Sequence, residues 1–178
     1  MKTRITLVLL WSAVFLMSMS TSASASEKYV STEFGFAASF PAAVIRKQIR
    51  PDVVTFDANA PGGKWEAQVN VISNVVMPKE VTHEVMETKL AEFLKDHAMT
   101  QVDVSSYTAF QGYTALSATT TFFIKNRDTN HFVVYLVVVD MKLVFVKEQK
   151  RVYIIEGMAV QGIDRSAIQP FLDSFEFQ

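Results

Sequence analysis

Phe132-Val133-Val134-Tyr135-Leu136-Val137-Val138-Val139 is apolar at every position. A strand with one wet face alternates apolar and polar residues, so a run apolar on both alternating sets belongs at the centre of a sheet covered on both faces. That requirement shapes the rest of the reading: other strands must flank the run, and something must cover each face. Further β-branched and aromatic runs supply the strands, at Val102 to Phe110, Tyr113 to Lys125, Leu143 to Lys147 and Val152 to Val160. The connections at Gln111-Gly112, Asn126 to Asn130 and Glu148 to Lys150 are short, which forces antiparallel neighbours and predicts a meander.

Upstream, Trp65, Ala67, Val69 and Val71 alternate with Glu66, Gln68, Asn70 and Ile72, the pattern of a strand with one face buried and one mostly wet. It pairs as a hairpin with Val53 to Asp57 across Asn59-Ala60-Pro61-Gly62-Gly63. An earlier pair, Tyr29 to Thr32 and Phe36 to Phe40, turns near Gly35 and stops at Pro41. One long helix is predicted over 79–98, with His83, Met86, Leu90, Phe93, Leu94 and His97 on its sheet-facing side and Glu84, Glu87, Thr88, Glu92 and Lys95 outside. A second, short helix carries Ile168, Phe171, Leu172 and Phe175 at helical spacing, capped by Asp164 or Ser166, with Pro170 in its first turn. The expectation is an α+β fold: a central antiparallel sheet flanked by helices, an α/β/α sandwich.

The N-terminus has a different character. Lys2 and Arg4 precede an uncharged, largely apolar run from Ile5 to Met19, followed by Ala23-Ser24-Ala25 in a small-residue stretch. This is the layout of a cleavable export signal over residues 1–25. The run reaches 15 residues, short of the roughly 20 that span a bilayer, so no membrane span is expected after cleavage. Removing 25 of the 178 residues leaves 153, one domain over 26–178, in the periplasm or secreted. That domain holds 15 Lys+Arg against 18 Asp+Glu, net −3, which argues against nucleic acid as a partner. With no cysteine, the chain has no disulfide, no thiol nucleophile and no thiolate metal site.

Candidate chemistry is sparse. His83 and Glu87 stand one helical turn apart, the start of a metal site, yet two ligands do not complete one, and His97 lies about 21 Å further along the helix. Hydroxyls at Ser105, Ser106, Thr119, Thr120 and Thr121 fall in strands without a nucleophile turn, and Pro61-Gly62-Gly63-Lys64 lacks the spacing of a phosphate loop. Glu156 stands out: it shares one face of an apolar strand with Val152, Ile154, Met158 and Val160. A carboxyl there is either a functional group in a pocket or a strand-end residue paired with Lys147, Lys150 or Arg151. The 14 Phe allow an acyl or aromatic ligand between helix and sheet, against the plainer reading that they fill the core.

Phe34-Gly35-Phe36 with Phe40-Pro41, Gly112-Tyr113 opening a long strand, and the closing Phe171-Leu172-Asp173-Ser174-Phe175-Glu176-Phe177 together resemble the family of the photosystem II extrinsic subunit PsbP and its bacterial relatives, the Mog/PsbP-like sandwiches. The resemblance spans Tyr29 to Phe177 and implies an α/β/α sandwich with non-catalytic binding and assembly roles. It transfers no catalytic motif, ligand residue or cofactor. The expected function is an exported, non-catalytic accessory or assembly module that binds another envelope or secreted protein. Its expected contact surfaces are the wet face of the 65–74 strand, with Glu66, Gln68 and Asn70, and the acidic helix face at Glu84, Glu87 and Glu92. The alternatives are a carrier or sensor of a small hydrophobic ligand, and a hydrolase or metal enzyme whose site only the fold assembles.

Overall fold

The computed structural model describes residues 28–60, 64–96, 102–128, 131–163, 165–166 and 168–178. The expected export signal at 1–25 and His97 lie outside the described residues. Among the described residues ten strands and two α-helices follow in order: β1 (Lys28–Ser31), β2 (Phe36–Ser39), β3 (Ile45–Arg50), β4 (Val53–Asn59), β5 (Trp65–Ile72), α1 (His83–Asp96), β6 (Val102–Phe110), β7 (Tyr113–Asp128), β8 (His131–Val146), β9 (Arg151–Val160), α2 (Gln169–Ser174) and β10 (Glu176–Phe177). Seven strands form one antiparallel sheet in the order β3-β4-β5-β9-β8-β7-β6, and β1-β2-β10 form a small second sheet.

Several boundaries follow from local chemistry. Gln111 (φ 51°) and Gly112 (φ 85°) both take left-handed backbone, the two-residue turn that matches strand twist between β6 and β7. Helix α1 starts at His83, four residues later than the pattern predicts, because the Thr82 hydroxyl accepts the Val85 amide hydrogen at 3.3 Å and caps the first turn there. Pro170 falls in the first turn of α2 as expected, but Ser166 is not its cap: the capping position is Ile168, without a side-chain bond. Asp164 lies outside the described residues.

Three expectations change. Residues 131–146 form one continuous strand instead of two, since Met141 and Lys142 pair with Glu156 and Ile155 without a break. The sheet is not a simple meander: β6 to β9 run as one, but β5 pairs with β9 across its full length. Among the described residues, the strand buried on both faces is β9, continuous from Val152 to Gly157, joined by Leu143 to Val146 of β8; of the expected central run, Leu136 and Val138 are half-buried, and the side chains of 132–135 lie outside those described. The fold is therefore dominated by antiparallel sheet, with few helical residues beside it, in place of the expected clear α/β/α sandwich.

Two apolar cores lie on opposite faces of the large sheet. On one, Met86, Leu90, Phe93 and Leu94 of α1 pack on Leu116, Val139, Leu143 and Ile154. On the other, Phe171 and Leu172 of α2 and the small sheet cover Val54, Phe56, Val69, Tyr153 and Ile155. The stretches behind the family resemblance meet in this second core: Phe36 stacks on Phe175 at 5.4 Å, Phe40 meets Phe171 at 4.8 Å, and Tyr113 meets Phe177 edge-on at 4.9 Å. These rings fill space against one another, which spends them on packing. Close packing also explains Gly157, where a Cβ would collide with Ile168 at the start of α2.

Candidate functional site

Strand alternation builds a polar patch on the α1 side of the sheet. Val54, Phe56 and Ala58 of β4 and Ala67, Val69 and Val71 of β5 enter the α2-side core, so Thr55, Asp57 and Asn59 and their neighbours Glu66, Gln68 and Asn70 face the other way. Register aligns them in rows: Asp57 opposite Gln68 opposite Glu156, and Thr55 opposite Asn70 opposite Ile154. Helix α1 lays its apolar stripe over β7, β8 and β9, and the polar patch lies beside it on β4 and β5.

One chain of hydrogen bonds runs through the patch. The Thr55 hydroxyl donates to Asn70 Oδ1 at 2.6 Å; Asn70 Nδ2 donates to Gln68 Oε1 at 2.8 Å and to Glu156 Oε1 at 2.5 Å; Gln68 Nε2 donates to Glu66 Oε1 at 3.2 Å. Thr55, Asn70 and Glu156 are 5%, 4% and 1% exposed, so these bonds satisfy groups largely withdrawn from bulk water. Next to them, Lys47 Nζ and Asn59 Nδ2 each donate to Asp57 Oδ2 at 3.0 Å. Asp57 Oδ1 is buried without a hydrogen-bond partner. Burial pushes the Glu156 carboxyl up to about 8, with the Asn70 bond opposing and the Glu66 charge adding to the rise. Burial raises Glu66 as well, helped by Asp57 and opposed by Lys47.

A cleft opens where this patch meets α1. About 420 Å³ in volume, it has Thr55 and Asn70 as polar lining, Ile49, Val53, Ile72 and Phe93 as apolar lining, and Arg50, Asp52, Lys89 and Glu92 as charged lining. Through Asp52, Ile72, Lys89 and Glu92 it adjoins a groove of about 710 Å³ between α1 and the 73–78 segment, lined also by Val76, Pro78, Glu84, Val85 and Thr88. Lys89 bonds Glu92 at 2.6 Å and Arg50 stands 3.9 Å from Asp52, so the charges pair locally.

No family model and no curated protein matches the chain. Its fold is similar to that of solved structures. A mutant of the protein Mog1 superposes with a TM-score of 0.52 at 10% identity, over 85% of this chain and 95% of that one. A crystal structure from Bacteroides thetaiotaomicron VPI-5482 superposes with a TM-score of 0.50 at 8% identity, over 85% of this chain; this chain spans 48% of that one. At such identities the likeness is one of fold alone.

The sequence-derived candidates fall in different places. Glu156 is not a strand-end residue paired with Lys147, Lys150 or Arg151: Arg151 pairs with Val146 at the far end of β9, while Glu156 sits mid-strand and bonds Asn70. The face of Glu66, Gln68 and Asn70 is not wet, because β5 lies between β4 and β9 and its polar groups bond one another; Asn70 is buried and the other two half-buried. His83 leaves the apolar stripe. It is half exposed, 3.3 Å from Glu87 and edge-on to Tyr107, and the described residues contain no group of three side chains able to hold a metal. Glu84, Glu87 and Glu92 are exposed on α1, and Glu84 and Glu92 line the groove. Thr119 donates to Asp140, whose carboxylate also pairs with Arg165, so that acid is held by an ion pair. Sequence reasoning missed Thr55 and Asp57, although polar residues alternating at 55, 57 and 59 opposite 66, 68 and 70 were a readable signal.

Proposed function

We propose that the chain is an exported, non-catalytic accessory or assembly module, PsbP-like in its sandwich, that acts by binding another envelope or secreted protein. The groove along α1 is its contact surface. The observation that carries this reading is the groove itself: two adjoining hollows between α1, the 73–78 segment and β3 to β5, with Val76 94% exposed on the margin and Glu84 and Glu92 on the helix side. An open hollow of mixed apolar and charged character suits a protein segment better than an enclosed apolar ligand. Phe34, Phe36, Phe40, Phe56, Phe171 and Phe175 are taken up in the α2-side core, which weighs against the carrier alternative. The described catalytic candidates lack a nucleophile beside an oriented base, which weighs against the hydrolase alternative.

Photo-crosslinking in cells tests it. A photoreactive residue at Val76 or Thr88 is expected to trap one defined partner, and the same probe at Ser106 on the opposite edge strand is not. Charge reversal at Glu84, Glu87 and Glu92 together should abolish the adduct. Equal trapping from both edges, or none from the groove, refutes the reading. Export is checked separately by sequencing the N-terminus of the purified protein, which should begin at Ser26.

A further inference from the structure

The cleft at the β3–β5 end of the groove has a floor whose hydrogen-bond polarity is decided from behind. The Glu156 carboxyl accepts from Asn70 Nδ2, and Gln68 Oε1 takes the second Nδ2 hydrogen, so both donors of the Asn70 amide are engaged. The amide oxygen must then face Thr55, and the Thr55 hydroxyl spends its single hydrogen on it. What remains toward the cleft is acceptor capacity only: the lone pairs of Thr55 Oγ1 and the second lone pair of Asn70 Oδ1, 2.6 Å apart on residues at least nine-tenths buried. A group bound there must donate hydrogen bonds.

The walls say what carries that donor. Ile49, Val53, Ile72 and Phe93 present hydrocarbon between the floor and the rim, and the rim charges are matched as Arg50 with Asp52 and Lys89 with Glu92. An apolar stem with a compact donating head satisfies both zones. An ammonium can donate to both acceptors at once, whereas a guanidinium is planar and suits a fork of two coplanar oxygens. The cleft also adjoins the groove, which gives the main chain of a bound segment a course along α1.

We propose that the cleft takes a lysine side chain presented by the partner protein, its ammonium bound by Thr55 Oγ1 and Asn70 Oδ1; this rests on the groove being the protein-contact surface. Lysine methylene groups lie against Ile49, Val53, Ile72 and Phe93, and the ammonium donates to the two acceptors.

The test is a titration of the purified, isotopically labelled protein followed by amide and methyl chemical shifts, with N-acetyl-lysine-N-methylamide, N-acetyl-norleucine-N-methylamide and butylammonium as probes. The capped lysine should shift Thr55 and Asn70 saturably and bind about 10-fold more tightly than the norleucine probe, the worth of one hydrogen bond to a charged group. Thr55→Val should remove that preference without weakening norleucine. If Thr55→Val does not fold, Ile49→Ser on the exposed rim should weaken both amino-acid probes by the same few-fold factor, since it removes wall and leaves the floor. Equal binding of lysine and norleucine, no saturable shift at the floor, or butylammonium binding more tightly than capped lysine each overturns the proposal. Those results leave the crosslinking outcome untouched, so failure here and failure of the protein-contact reading are told apart.

Discussion

Replacing Glu156 by glutamine keeps an acceptor oxygen for the Asn70 amide and removes the titrating proton. In the folded chain this carboxyl is 1% exposed and holds its proton to about pH 8; in the unfolded chain it ionises around 4.5. Between those values the folded state binds more protons than the unfolded state, so the wild-type chain loses stability as pH rises, by up to about 1.4 kcal/mol per pH unit. From about pH 5 to about pH 7.5 the shift corresponds to a loss of about 3 kcal/mol from this group. Glu66, also raised by burial, adds to the same slope. Glu156→Gln should be close to wild type in stability near pH 5 and about 3 kcal/mol more stable relative to it near pH 7.5. Urea unfolding of both proteins at several pH values measures the difference directly. Parallel stability curves, with a gap that does not open as pH rises, would show that the carboxyl is ionised in the folded state and that the account of the polar patch is wrong.

Gly157→Ala places a methyl against Ile168 and should destabilise by about 1 to 3 kcal/mol, with partial recovery in the Gly157→Ala/Ile168→Ala pair; a double-mutant cycle that shows no coupling would contradict the contact. Phe36→Ala empties the ring site between Phe56 and Phe175 and should cost about 3 to 5 kcal/mol in chemical denaturation. Tyr153→Phe removes the hydroxyl that donates to the Phe34 carbonyl and lies 2.6 Å from Gln149 Oε1, and a loss of about 1 kcal/mol is expected, read from the unfolding midpoint.

Much of the fold was legible because its signals are local. The alternation of 65–72, the paired turn at Gln111-Gly112, and the spacing of Met86, Leu90, Phe93 and Leu94 each depend on residues close in sequence, and each element formed near its expected position. The misses share a different cause. Phe132 to Val139 has the composition of a strand covered on both faces, but coverage depends on which elements pack there: Leu136 and Val138 are half-buried, and among the described residues the full cover fell on β9 and Leu143 to Val146 of β8. Likewise Glu66, Gln68 and Asn70 alternate as a wet face would, and only the neighbouring β4 and β9 turn that face inward.

By itself the sequence determined the strand periods, the turns, the amphipathic stripe of α1 and the oddity of a glutamate in an apolar strand, because each is a property of residues a few positions apart. The tertiary structure alone decided what that glutamate meets. Asn70 and Glu156 lie 86 residues apart, and nothing between them encodes their contact. It arises from pairing β5 with β9 in one register, which sets the Asn70 amide on the Glu156 carboxyl and turns a set of separate polar side chains into a single buried network.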